Sequence, residues 1–290
     1  MSVLNAPIRF CLVGGDRRQH FLHTLLADDG HTVTALGLSD APISFSALSQ
    51  AECILLPIPI QANPGFLFAP FHTTPIPLSG ILEVLSPPQL IFGGKIPPSL
   101  REDAAKRGLQ IRDLLLREDF SITNAVPTAE GALQLAMEHL PITIHRSRVL
   151  LTGFGRVGQC TAQRFRAVGA HVTVGARSPA QLALAETMGF DCISLPSLPH
   201  TAMPFDLIIN TVPSPVLTAP ILEHLKSPLL LELASPPGGF DRAAIHRFDL
   251  RLIDAQGLPG KVAPLSAARI IRNTLYQALD ELHFGKEGSF

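Results

Sequence analysis

The run Gly153-Phe154-Gly155-Arg156-Val157-Gly158 constrains the fold of this chain more than any other stretch. It directly follows the apolar run Val149-Leu150-Leu151 and opens a segment with helical character. A strand, a turn of the form GxGxxG and a helix together make the start of a dinucleotide-binding βαβ unit. Each glycine has its own physical reason. Gly153 permits the tight turn, Gly155 lets the backbone approach a pyrophosphate, and Gly158 lets helix and strand pack closely. The phosphates then meet the N-terminus of the helix, where unpaired N–H groups and the dipole favour an anion. Phe154, Arg156 and Val157 complete the expected cofactor-binding turn.

The end of the next strand separates NADP from NAD. An NAD site places Asp or Glu there for the ribose 2'-hydroxyl, about 20 residues beyond the turn. Here no acidic residue occurs between Gln159 and Ala185, and the strand runs into Ala176-Arg177-Ser178. A guanidinium beside a hydroxyl suits a 2'-phosphate, and the missing carboxylate removes a repulsion. NADP is therefore the expected cofactor. Two further strand ends supply loops to the same mouth, Asn210-Thr211-Val212-Pro213 and Ala234–Gly239 with Ser235, and Gly257 opens a rigid loop over 257–264.

Short aliphatic runs alternate with helical stretches along the whole chain, which predicts α/β architecture with parallel sheets. Strands are expected at 8–13, 31–36, 53–56, 90–92 and 109–112, with helices at 19–28 and 98–107. A helix over 128–140 leads to strands at 148–151, 171–174, 206–209, 229–233 and 250–253, with helices at 156–168 and 180–188, and a last helix covers 265–282. At about 150 residues per domain, 290 residues predict two. The division expected is 1–127, completed by helix 265–283, and 128–264 as the dinucleotide-binding domain. Residues 57–88 carry eight prolines and little periodicity, reading as an irregular surface excursion.

Composition excludes several classes. Lys+Arg 23 against Asp+Glu 24 gives no basic footprint for nucleic acid, and no Trp with one Tyr leaves no stacking platform. No apolar stretch is long enough for a membrane span, and residues 1–10 have no leader character, so a cytoplasmic protein is expected. Cys11, Cys53, Cys160 and Cys192 are far apart and the 11 histidines are scattered, so buried reduced thiols and no metal are expected.

Separated motifs carry a resemblance that spans the chain. They are Gly14-Gly15-Asp16-Arg17-Arg18-Gln19, Phe92-Gly93-Gly94-Lys95-Ile96, Arg117-Glu118-Asp119-Phe120 and Asn124-Ala125-Val126-Pro127-Thr128-Ala129-Glu130-Gly131-Ala132. With the glycine turn, Leu233–Gly239 and Gly257–Pro264, they make the chain similar to the dipicolinate synthase A subunit family. The resemblance implies a flavodoxin-like N-terminal domain and a Rossmann domain, as in formate/glycerate dehydrogenases. It implies NADP-dependent formation of dipicolinate, pyridine-2,6-dicarboxylate, from 4-hydroxy-tetrahydrodipicolinate during sporulation. A second, flavoprotein-like B subunit is the implied partner, in the mother-cell cytoplasm of a spore-forming bacterium. A homo-oligomer is left open.

A dicarboxylate substrate calls for cations, and Arg17, Arg18, Lys95 and Arg117 are the first-domain candidates. Asn124 and Thr128, in the junction motif, join them as substrate-binding candidates. Loss of water and of a ring proton calls for an acid or base, for which Glu118, Asp119, Glu130 and Lys261 are the catalytic candidates. Alternatives are other two-domain NADP enzymes. Residues 206–211 are similar to shikimate dehydrogenase, although the first domain lacks an NxTxPxK segment, and residues 258–264 are similar to methylene-tetrahydrofolate dehydrogenase. A D-2-hydroxyacid dehydrogenase would want a histidine within 264–282, and there is none. A non-catalytic NADP-binding sensor is the alternative from another class.

Overall fold

The computed structural model describes residues 6–200, 204–226 and 228–287; residues 1–5, where no leader is expected, lie outside them. The chain divides into two compact units, residues 1–123 with 263–290, and residues 124–262.

In the first unit β1 (Arg9–Val13) leads to α1 (Arg17–Asp28), β2 (Thr32–Leu36), α2 (Phe45–Gln50) and β3 (Cys53–Leu55). A small antiparallel pair follows, β4 (Gln61–Asn63) and β5 (Phe66–Leu67). Then come α3 (Leu78–Val84), β6 (Leu90–Gly93), α4 (Pro98–Lys106) and β7 (Gln110–Asp113). The five main strands are parallel in the order β2-β1-β3-β6-β7. Setting the small pair aside, that is the flavodoxin-like order. The central strands β1, β3 and β6 read as near-continuous apolar runs because both faces are covered, whereas the edge strands β2 and β7 carry polar, exposed positions. Cys11, Val13, Ile54 and Ile91 pack into one core layer. Phe10, Leu12, Leu55 and Phe92 pack into the other.

The long helix α5 (Glu118–His139) crosses from the first unit into the second. Pro127 lies inside it and cannot donate to the carbonyl of Thr123, the last residue of the first unit's main segment. The second unit continues with β8 (Arg148–Thr152), α6 (Arg156–Ala167), β9 (His171–Ala176), α7 (Pro179–Thr187) and β10 (Asp191–Ser194). It ends with β11 (Leu207–Asn210), α8 (Ala219–Leu222), β12 (Leu229–Glu232), α9 (Arg242–Arg247), β13 (Leu252–Asp254) and α10 (Leu258–Val262). All six strands are parallel in the order β10-β9-β8-β11-β12-β13. This is the 3-2-1-4-5-6 order of a Rossmann sheet, which reverses at β8. The expected α/β class with these two domain types is borne out.

Alternation decides how this sheet is glued. Leu151, Ile209 and Leu231 face one layer, while Leu150, Ile208 and Leu230 face the other. Ile208 is fully buried, and truncation to alanine would cost about 2–5 kcal/mol. The chain then returns to the first unit through α11 (Pro264–Glu287). There Ile271, Leu275 and Leu279 share a core with Leu22 and Leu26 of α1. The Tyr276 hydroxyl donates to Asp29 at 2.7 Å, locking the two helices together.

Four expectations need correction. The excursion over 57–88 is not an irregular surface loop: Ile60, Ile76, Ile81 and Leu82 are buried in the first core. Its prolines mask that pattern by breaking every run before a period develops. The helix expected at 128 begins at Glu118, because Pro127 is accommodated within it. Residues 258–262 form the short helix α10 rather than a loop. Gly131 of α5 makes room for it, since a Cβ there would meet Leu258 at 3.0 Å. Finally, Cys11 and Cys53 are buried, and burial pushes the Cys11 thiol up to about 12, but Cys192 is exposed and Cys160 half-buried. The edge strand β10 went unanticipated because it is short and solvated on its flank. Among the described residues no helix is long and apolar enough to cross a membrane.

Candidate functional site

The carboxyl ends of β8, β9, β11 and β12 meet at one edge of the second sheet, and they bring most of the expected cofactor residues together. Gly153, with φ of +87°, makes the turn that only glycine enters without strain. A Cβ there would lie 2.7 Å from Thr211 Oγ1. At Gly158 a Cβ would stand 2.4 Å from the Gly153 carbonyl oxygen, so α6 can sit on the turn only without a side chain. Gly155 is different. It is the N-cap of α6, no side chain caps the helix, and nothing lies within 4 Å of where its Cβ would be. The result is an uncapped helix N-terminus facing open space, which fits a pyrophosphate. Phe154 contributes its backbone to the turn, while its ring is buried edge-on against Phe190.

Around this turn stand the other expected groups. Ala176 is buried at the end of β9, and Arg177 beyond it is exposed. The Arg177 guanidinium donates to Ser214 Oγ at 3.1 Å. Since β9 and β11 lie on opposite sides of β8, this bond reaches over the glycine turn. Ser178 is the N-cap of α7 and makes no side-chain cap, leaving its hydroxyl available. Thr211 Oγ1 donates to the Thr152 carbonyl at 2.8 Å, which fixes the loop through Val212 and Pro213. Ser235 is exposed in the loop after β12, and Gly257, with φ of +71°, opens α10. Arg156 and Val157 form the first turn of α6.

Asn210 occupies a different place from the one expected of a cofactor ligand. It is fully buried, and its amide is spent inside the protein: Nδ2 donates to Val212 O and to Glu232, and Oδ1 accepts from Thr152 and from Val212 N. Glu232 was missed by sequence reasoning. Its signal is a lone carboxylate inside the apolar run Leu229–Leu233.

The first-unit candidates sort by how their hydrogen-bonding capacity is used. Arg18 is buried; it pairs with Asp16 at 2.8 Å and donates to the Ile58 carbonyl. The cavity beside it measures only about 10 Å³, too small for a ring with two carboxylates. Arg117 is likewise committed, donating to both carboxylate oxygens of Glu281 at 2.7 and 2.8 Å and to Asp119. Burial would raise the Asp119 pKa, but hydrogen bonds from Arg117 outweigh that and hold it below the usual range. The same guanidinium lowers Glu281. Asp119 is thus an ion-pair carboxylate, and Arg117 a clamp on α11. Arg17, by contrast, is exposed in the first turn of α1, and its side chain makes no hydrogen bond among the described residues.

Lys95 is exposed and held at φ of +58°, a conformation that costs about 1 kcal/mol or more outside glycine. Asp113 holds it there by accepting the N–H groups of Lys95 and Ile96. Glu118 begins α5, and Glu130, later in the same helix, lies 3.6 Å from Arg164 Nε. Thr128 Oγ1 donates back to the backbone carbonyl of Asn124, which spends the threonine's proton inside the helix and leaves the Asn124 amide out of the bond. Lys261 is exposed in the last turn of α10. Among the described residues no three His, Cys, Asp or Glu side chains gather as a metal site.

A family model for the N-terminal domain of the dipicolinate synthase A subunit matches residues 9–115. The chain is also 32% identical over 287 residues to the dipicolinate synthase A subunit of Bacillus subtilis (strain 168), covering 95% of this chain and 97% of that protein. The chain belongs to the dipicolinate synthase A subunit family. Solved structures of the family agree with the fold. The A subunit structure from Bacillus subtilis superposes with a TM-score of 0.85 at 31% identity, covering 98% of this chain and 100% of that one. The one from Bacillus halodurans gives 0.85 at 30% identity, covering 94% and 97%. Family membership therefore spans both units, including the proline-rich segment.

Proposed function

We propose that the chain is an NADP-dependent oxidoreductase that forms dipicolinate from 4-hydroxy-tetrahydrodipicolinate. In the balance of the reaction the substrate loses water, and the ring then loses a hydride to oxidised NADP and a proton to a base. Membership of the family supports the substrate class. The observation that carries the cofactor is the uncapped N-terminus of α6 beside Arg177. Gly153, Gly155 and Gly158 leave space for the pyrophosphate, Arg177 with Ser178 receives the 2'-phosphate, and Thr211–Pro213 with Ser235 line the same mouth. When bound, NADP supplies the hydride acceptor. The chain's own residues bind and orient.

In this reading the first domain receives the substrate and the second holds NADP. Arg17 and Lys95 are the cations with hydrogen-bonding capacity for a substrate carboxylate, ahead of Arg18 and Arg117, whose forks are already paired. Glu118, Asp119 and Glu130 are the carboxylate candidates for moving a proton, and Arg117 holds Asp119 in its charged form. Lys261 is a further candidate for that role. The partner proposed with this activity is a flavoprotein-like B subunit, in the mother-cell cytoplasm.

The test joins two titrations with a turnover assay. NADP should bind at least tenfold tighter than NAD, and Arg177→Ala should weaken NADP about 10–100-fold while leaving NAD unchanged, the worth of a charge-assisted pair. Equal binding of the two would overturn the cofactor assignment. NADP reduction with 4-hydroxy-tetrahydrodipicolinate, with the B subunit supplied, is the expected activity. Tight NADP binding without any turnover would instead favour a sensor.

A further inference from the structure

The ends of three adjacent strands carry a polar network that the cofactor reading does not use. Thr152, Asn210 and Glu232 are the last residues of β8, β11 and β12, and they lie on one rung of the sheet, Asn210 opposite both Thr152 and Glu232. All three are fully buried. Glu232 Oε1 accepts from Asn210 Nδ2 at 2.6 Å and from the Ala234 N–H at 3.0 Å. Its Oε2 accepts from the Gly239 N–H at 2.7 Å. Asn210 in turn holds both the N–H and the carbonyl of Val212, and Thr152 Oγ1 donates to it at 2.7 Å.

Stability alone is a poor reason for this arrangement. A carboxylate removed from water costs several kcal/mol, and a well-packed apolar residue is often at least as stabilising. Among the described residues no Lys or Arg lies within ion-pair distance of Glu232, and Arg242, paired with Asp254, attracts it only from farther off. What the carboxylate offers is acceptors on both oxygens. The amide of glutamine has one acceptor oxygen and one NH2 that only donates, so in either orientation an NH2 group would face a backbone N–H. Glycine completes the fit, since a Cβ at Gly238 would stand 2.6 Å from Glu232 Oε2, and one at Gly239 would stand 2.4 Å from Asn210 Nδ2.

We propose that Glu232 is a positioning residue for the dinucleotide, binding the loops over 211–213 and 234–239 into one register at the mouth of the sheet. The inference rests on the reading that this mouth holds NADP. Cofactor affinity then depends on a carboxylate that touches no cofactor atom. Asn210 is the intermediary that carries the constraint from one loop to the other, and Thr152 holds Asn210 in the orientation this requires.

The experiment compares Glu232→Gln, Thr152→Val and Gln89→Ala in the full chain. Gln89 is a buried amide of the first unit that donates to the carbonyls of Leu48 and Ala51, so its loss lowers Tm away from the mouth. NADPH affinity is read by fluorescence well below each Tm, together with KM for NADP and kcat. Glu232→Gln should raise the NADPH Kd at least tenfold and KM in proportion. The isosteric Thr152→Val should raise Kd about threefold, one neutral hydrogen bond partly transmitted. Gln89→Ala should lower Tm with wild-type affinity. A folded Glu232→Gln protein with reduced Tm and wild-type Kd overturns the proposal. If that variant does not fold, unchanged affinity in Thr152→Val overturns it. Wild-type protein that binds no dinucleotide is a separate result, which removes the NADP reading itself.

Discussion

The molecule contains two versions of the same turn, and they have opposite fates. In the first unit β1 runs through Gly14 and Gly15 into α1, whose N-cap is Asp16 at φ −97° and ψ −162°. In the second, β8 runs through Gly153 into α6, whose N-cap is Gly155 at φ −80° and ψ −165°. The backbones nearly coincide, but the groups they offer do not. The first glycine N–H is paired across the sheet in both turns, Gly14 to the Leu36 carbonyl and Gly153 to that of Gly175. But in the first turn Asp16 also caps the helix by accepting the Arg18 N–H at 3.0 Å, and the Phe68 carbonyl takes the Gly15 N–H at 2.6 Å. A Cβ at Gly14 would collide with Leu67 at 2.5 Å. In the second, the helix end has no side-chain cap and a Cβ at Gly155 meets nothing. The Phe154 N–H there meets only a side-chain oxygen, that of Gln181 at 3.4 Å. A glycine turn becomes an anion site where the N–H groups of the helix end keep no side-chain cap.

The comparison can be broken most directly by giving the second turn the side chain of the first. Gly155→Asp should weaken NADP binding more than about 100-fold, because its carboxylate would cap α6 and repel the pyrophosphate. Tm should hold or rise slightly, since the position has room for a side chain. Unchanged NADP affinity in this variant, measured by titration calorimetry, would remove the open turn as the phosphate site. The reverse change acts on stability. Asp16→Ala strips α1 of its cap and leaves the buried Arg18 guanidinium without its carboxylate, a loss of about 2–3 kcal/mol. Denaturant unfolding should show that loss while NADP affinity stays at the wild-type value.

A smaller effect sharpens the picture of the open turn. Ser214→Ala removes the hydroxyl that receives Arg177 and should weaken NADP about threefold, with NAD unaffected. A change of equal size for both cofactors would mean that Ser214 shapes the loop rather than aims the arginine. The smallest expected effect belongs to the first unit and to pH. His31 is buried between Phe10 and Tyr276, its Nδ1 accepts the Ile8 N–H, and its Nε2 has no partner among the described residues. Burial lowers its pKa below the ordinary 6.5, and the nearby Asp29 charge only partly opposes this. The unfolded chain therefore takes up the proton first. The stability associated with the neutral ring is present above about pH 6.5 and is lost as pH falls through the lowered folded value. His31→Phe should flatten that part of the stability profile.

Legibility in the sequence varied with how local each cause is. The runs Val149–Leu151 and Leu207–Ile209 announce buried parallel strands, and Gly153, Gly155 and Gly158 announce their turn, because each is dictated by neighbours in sequence. Arg17 and Arg18 look alike on paper. Only one has its fork filled, by Asp16 nearby and by the Ile58 carbonyl forty residues on. Arg117 similarly reads as a free cation until Glu281 arrives from the last helix. The proline-rich excursion hides its role for the same reason, since Ile60 and Ile81 acquire meaning only against the core they fill.

The sequence by itself determined the α/β class, most of the main parallel strands other than β10, and the positions of the glycine turns. Those follow from residue-scale preferences, apolar runs for strands buried on both faces and glycine where φ is positive. Only the tertiary structure decided which turn is closed and which is open. The carbonyl of Phe68, the packing of Leu67 and the bond from Asn210 to Glu232 come from segments remote in the chain. Hydrogen bonds are exclusive, so a donor claimed by a distant carbonyl is lost to a ligand, and no local pattern records that claim.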